Sequence, residues 1–218
     1  MPTSQPGTVT IPDSTRTLIM RLGNTASRYN HRIRVQNEVA SMSLARKIFA
    51  PRKIIPDVYG WGSAAEGQGW ILMEYMIGVP LGAELNNLTN GQRIAAVKEV
   101  ARLVLALQQY KLPPSIKKFG GLDFDPNDNL VSAPLTLYHS GPFGTYSLMF
   151  RAMMREKLDL VDKSSVIHGG KESGRDNRRK LERFMAANLL TLPHSIELDR
   201  RLVHGKMSMS NSYVQSVL

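Results

Sequence analysis

Arg201-Leu202-Val203-His204-Gly205-Lys206-Met207-Ser208-Met209-Ser210-Asn211 pairs a short apolar run with a long polar one. Leu202 and Val203 suit a half-buried strand. Gly205 is the small residue that lets a strand turn out into a loop. Arg201 to Val203 therefore predict a strand that projects a polar loop, with Asn211 five residues beyond Lys206. Ser208 and Ser210 have no partner at the spacing of a general base, so neither reads as a nucleophile.

Upstream of this loop the chain is helical. Hydrophobic periodicity predicts helices over about 146–160 and 178–190, joined by a polar loop from Ser164 to Asp176. Lys117 to Pro142 is punctuated by Gly120-Gly121, Pro126, Asn127, Asp128 and Pro134 and predicts irregular chain. Thr89-Asn90-Gly91-Gln92 fits a capping box. The helix behind it carries Ile94, Val97, Val100, Ala101, Val104 and Leu107 on one face and ends before Pro113-Pro114.

The first third alternates differently. Thr8-Val9-Thr10-Ile11 and Thr17-Leu18-Ile19-Met20-Arg21-Leu22, with Pro12-Asp13-Ser14 between them, predict a hairpin. Val35, Val39, Met42, Ala45 and Phe49 predict a helix from about Arg34 that stops near Ala50, ahead of Pro51. Strands follow at 57–61 and 70–75, with a Gly- and Ala-rich turn between them. Strands and helices thus segregate along the chain, which predicts an α+β fold in two lobes. Residues 1–7 are expected to be disordered, 8–81 to form a small β-rich lobe with one helix, and 82–218 a mainly helical lobe.

Composition narrows the function. The 218 residues are 42% hydrophobic and 21% charged, which is globular rather than disordered. There is no cysteine, so disulfides, thiolate metal sites and a cysteine nucleophile are excluded. Met1 to Gly7 lack the features of a signal peptide, and no apolar run approaches the ~18 residues of a membrane span. A cytoplasmic protein is expected, with no membrane contact. The net charge of +10 favours anionic partners, although no block of like charges and no aromatic–basic interleaving points to nucleic acid.

Lys206 and Asn211 have the spacing of the catalytic loop in kinase-type phosphoryl transfer. There an Asp accepts the substrate hydroxyl proton and an Asn five residues later helps hold the metal. His204-Gly205-Lys206 to Asn211 resembles the H-G-D-x-x-x-x-N signature of the aminoglycoside phosphotransferase and choline kinase-like family. Gly69 to Leu81 looks like the adenine-binding hinge of its fungal members, ending in Gly78-Val79-Pro80-Leu81. Ile55 to Gly60, Asn37 to Ala40, Gly120 to Leu122 and Ser140 to Phe143 extend the similarity over roughly 8–215.

The resemblance implies a protein-kinase-like fold and a transferase reaction, with ATP and magnesium as cofactors and a small-molecule hydroxyl as acceptor. It implies that Arg21 holds the α- and β-phosphates and that Glu38 orients Arg21. Backbone groups of Glu74, Tyr75 and Met76 would meet adenine, and Asn211 would ligate metal. His204 would hold the loop by hydrogen bonding.

Three departures argue against activity. Lys206 occupies the place of the catalytic Asp. Losing a positioned general base costs roughly 10²–10⁴-fold in rate. At ~4 Å and an effective dielectric of ~20, one charge pair is worth roughly 4 kcal/mol, and repulsion of a divalent ion about twice that. The phosphate-covering Gly-rich loop has no counterpart before Thr8, and the metal-binding Asp of a later strand has none after Asn211. The chain is thus expected to be incomplete at both ends, as a pseudokinase or a truncated gene product. Lys206 is also placed to meet a nucleotide phosphate directly. The alternative function is a non-catalytic scaffolding module that offers its basic surface to an acidic partner or self-associates through exposed C-lobe core.

Other roles stay open for several of these residues. Glu38 also reads as a first-turn acid favoured by the helix dipole. Arg21 also reads as a solubilising edge-strand charge, Glu74 and Tyr75 as ordinary strand residues, and Asn211 as a turn cap.

Overall fold

The computed structural model describes residues 5–27, 29–65, 67–164, 172–187, 198–203 and 213–214. It is a mixed α+β structure. Its strands are β1 (Leu18–Leu22), β2 (Val58–Gly62), β3 (Trp70–Glu74), β4 (Val79–Pro80), β5 (Gly121–Phe124), β6 (Leu130–Ala133) and β7 (Tyr213–Val214). Its helices are α1 (His31–Phe49), α2 (Leu81–Glu84), α3 (Asn90–Gln109), α4 (Tyr146–Lys163) and α5 (Glu172–Ala186).

The main sheet is antiparallel and ordered β1-β3-β2. β2 and β3 form the predicted hairpin, with Trp61 opposite Ile71. β1 pairs with β3 in the register Leu18 to Glu74 and Arg21 to Ile71. The expected hairpin of Thr8 to Ile11 with Thr17 to Leu22 does not form. Pro12 accepts a turn bond from the Thr15 amide, and Val9 instead donates to the carbonyl of Val58, the first residue of β2. Residues 5–7 are also packed, contrary to the expected disorder. The Gln5 amide bonds both backbone groups of Trp61 and caps the β2 edge, while the Trp61 indole donates to the Pro6 carbonyl.

α1 is the central element, and consecutive residues on it serve different neighbours. Val35 and Val39 pack with Val58, Ile71 and Met73 of the sheet. Ala40 and Leu44 pack with Ile116, Leu122 and Leu130. Phe124 joins both clusters. Each buried Leu, Ile or Val contributes about 1.5–3 kcal/mol, so these two groups anchor the structure around one helix.

The second cluster depends on a hairpin that the sequence reading missed. Within the supposedly irregular 117–142, β5 and β6 pair antiparallel from Gly121–Ala133 to Phe124–Leu130. Pro126, Asn127 and Asp128 lie in the turn of this hairpin, while Gly121 is the first residue of β5. Asp125 Oδ1 accepts from the Asn127 and Asn129 amides, and Asp128 adopts φ +64°. Gly121 has no room for a side chain: a Cβ there would lie 2.1 Å from Asn37 Nδ2. That space lets Asn37 donate to the Leu122 carbonyl at 3.1 Å and dock the hairpin on α1.

The capping box of α3 is present, with Thr89 Oγ1 accepting from the Gln92 amide and Gln92 Oε1 from the Thr89 amide. The expected apolar face is less covered than the pattern implies. Leu107 is buried, while Ile94 and Val97 are exposed. α5 begins at Glu172, inside the stretch expected to be loop. Residues 201–203 are not a strand, although Leu202 packs against the second core cluster. No helix among the described residues is long and apolar enough to cross a membrane.

Candidate functional site

The end of β1, the first half of α1 and the start of β3 meet around a small open cleft. Arg21, Gly23, Arg34, Val35, Glu38, Gly69 and Trp70 are among the residues that line it. Gly69 is what lets the three elements come together. It is buried, and a Cβ on it would lie 2.8 Å from Val35 Cγ2. The Gly23 amide donates to the Gly69 carbonyl at 2.6 Å, which carries the β1–β3 ladder one step further.

Arg21 Nη2 and Glu38 Oε2 form an ion pair in this cleft. The two residues sit on different elements, so the tertiary packing of α1 on the sheet brings them together. Glu38 is not in the first turn of its helix. α1 starts at His31, so the dipole reading of Glu38 does not apply. Arg21 lies on an edge strand, as its alternative reading supposed, but its charge is directed into the pair.

Arg34, which the sequence reading left without a role, also lines the cleft. It lies one helical turn before Glu38 on the same face of α1. Its Nη1 donates to Ser27 Oγ at 3.2 Å, and its guanidinium carbon sits 4.6 Å from the centre of the Tyr29 ring. The four-residue spacing to Glu38 was the signal in the sequence that could have singled it out.

Glu74 faces elsewhere. Its Oε1 pairs with Lys53 Nζ at 2.8 Å, and its Oε2 accepts from the Asp57 amide at 3.2 Å. The hydrogen bond to Glu74 holds the Lys53 ammonium above the usual lysine range. Arg46 Nη1 completes the group by pairing with Asp57 Oδ1 at 2.9 Å. The Glu74 amide donates to the Asp57 carbonyl at 2.8 Å, so it is already committed. After Glu74 the chain leaves the sheet, and Tyr75 is exposed while Met76 is half-buried. The chain then pairs again at β4, with Val79 opposite Val214 and Pro80 opposite Tyr213.

His204, Lys206 and Asn211 lie outside the described residues. Among the described residues no three His, Cys, Asp or Glu side chains converge as metal ligands. The cleft itself has two guanidiniums and one carboxylate, a lining that fits a phosphate. It does not fit magnesium, which needs hard oxygen donors. No protein-family model, curated protein or solved structure matches this chain.

Proposed function

We propose that this chain is a protein-kinase-like domain of the aminoglycoside phosphotransferase type, which retains a nucleotide-binding cleft and has lost phosphotransfer. The observation that supports the reading is the Arg21–Glu38 ion pair at the mouth of the cleft between β1 and α1. An acid on a helix paired to a cation on the neighbouring strand is the arrangement that kinase-type proteins use to hold nucleotide phosphates. In this reading Arg21 meets the α- and β-phosphates and Glu38 keeps its guanidinium in place.

The adenine would lie beyond β3. The Glu74 amide is bonded within the protein, so recognition falls to backbone groups of Tyr75 and Met76. Lys206 supplies a cation where a metal-dependent enzyme has a carboxylate, and Asn211 follows it by five residues. No catalytic step through magnesium is assigned.

A thermal-shift titration tests this. ATP at about 100 times its dissociation constant stabilises a folded protein by roughly 2.7 kcal/mol. The melting temperature is expected to rise with ATP, while labelled phosphate is not transferred to hydroxyl acceptors. A melting temperature unmoved by millimolar ATP would sink the proposal.

A further inference from the structure

The chemistry of Arg34 specifies how the cleft recognises its ligand, and this step rests on the nucleotide reading above. Arg21 has its charge matched by Glu38. Arg34 does not. Its partners, the Ser27 hydroxyl and the Tyr29 ring, are both neutral, and no carboxylate among the described residues lies within ion-pair distance of it. With two arginines and one glutamate, the lining carries one net positive charge.

The position of Arg34 is also constrained. A guanidinium stacked on an aromatic face and hydrogen-bonded at one nitrogen has lost much of its rotamer freedom before a ligand arrives. Its remaining N–H donors keep the planar fork that matches a phosphate at two points. Gly69 lets Val35 settle onto β3, and Val35 precedes Glu38 by three residues on the helix that also carries Arg34. The packing that forms the Arg21–Glu38 pair therefore also brings Arg34 to the cleft.

We infer that Arg34 is a second phosphate-binding residue of this cleft, and that Arg21 and Arg34 together take the phosphates of a nucleotide without a divalent cation. A guanidinium with no carboxylate partner among the described residues supplies the positive charge that a metal supplies elsewhere.

The test is calorimetric titration of the full chain in EDTA with ATP, tripolyphosphate and adenosine. ATP and tripolyphosphate are expected to bind without magnesium. Arg34→Gln is expected to weaken both by on the order of tenfold or more and to leave adenosine unchanged. Arg34→Lys recovers part of the loss, and Arg102→Gln, an equal change of charge on α3, leaves all three ligands unaffected. ATP binding that requires magnesium overturns the inference and leaves the nucleotide reading standing. So does an Arg34→Gln protein that binds tripolyphosphate as tightly as the parent. Failure of the parent chain to bind adenosine or ATP, with Arg34-dependent binding of tripolyphosphate intact, removes the nucleotide reading and keeps the anion site. Should Arg34→Gln not fold, Tyr29→Leu removes the stacking platform without changing charge. It must still weaken tripolyphosphate, and parity with the parent overturns the inference.

Discussion

Val35 Cγ2 stands 2.8 Å from where a methyl group on Gly69 would lie. Contact this close means that α1 rests on β3 with no space for even the smallest side chain. Val is β-branched and stiff at χ1, so it has little freedom to move aside. Gly69→Ala is therefore expected to destabilise the fold by about 1–3 kcal/mol through overpacking. Chemical denaturation measures this. Adding Val35→Ala should recover part of the loss, and strict additivity of the two changes would show that this contact is not the cause.

Arg21→Gln separates stability from binding. The Arg21 and Glu38 side chains are 45% and 29% exposed, so the pair behaves largely as a surface ion pair. Its loss should change stability by no more than about 1 kcal/mol. It also cancels the net positive charge of the cleft, leaving Arg34 against Glu38. ATP affinity measured by calorimetry should therefore fall by on the order of tenfold. A large loss of stability with unchanged affinity would assign the pair to folding alone.

Lys206→Asp should change the metal response. In the parent chain magnesium is expected to leave ATP affinity unchanged or lower it. With Asp at 206 and Asn211 five residues on, magnesium should strengthen ATP binding, because a repulsive charge becomes an attractive one. Titrations with and without magnesium decide this. Identical magnesium responses in the two proteins would mean that position 206 does not face the phosphates.

Asp125 gives a pH dependence. The amides of Asn129 and Asn127 and the Asn129 side chain hold its carboxyl below the usual aspartate range. A depressed acid contributes stability that is fully present above its unfolded value of about 3.9 and is lost as pH falls through the folded value. Glu99, Asp162 and Asp199 shift the same way, each towards an arginine partner. The melting temperature should be flat above about pH 5 and fall below about pH 4. Asp125→Asn keeps one acceptor oxygen for the turn but removes the charge, so its acid slope should be shallower.

Thr89→Ala removes the cap of α3 and should cost about 1 kcal/mol. The Gln92 side chain bonds the Thr89 amide in return, so Gln92→Ala should lose less in the Thr89→Ala background than alone. Equal losses in both backgrounds would mean that the two bonds act independently.

Legibility followed sequence distance. α1 and α3 could be read from apolar residues at helical spacing, and α3 from its cap as well. The β2–β3 hairpin was marked by two short β-rich runs about a turn. The β5–β6 hairpin was missed because Pro126, Asn127 and Asp128 look like loop in isolation, and only the docking of Leu122 and Leu130 on α1 reveals the strands beside them. Of the candidate site, Arg21, Glu38 and Glu74 could be named from the sequence. The direction of Glu74 towards Lys53 could not, because it depends on a neighbour from a separate loop, and Arg34 was marked only by its four-residue spacing to Glu38.

By itself the sequence determined the main helices, the absence of thiol chemistry, the basic charge and the five-residue spacing from Lys206 to Asn211. These are properties of composition and of residues a few positions apart. Tertiary structure alone decided that β1 pairs with β3 and not with Thr8 to Ile11, and that α1 is shared between two groups of core residues. It also decided that two arginines and a glutamate face one cleft. Strand pairing across some fifty residues leaves no local period to read. It is settled by which apolar faces bury each other, and the charges on α1 and β1 take their positions from that burial.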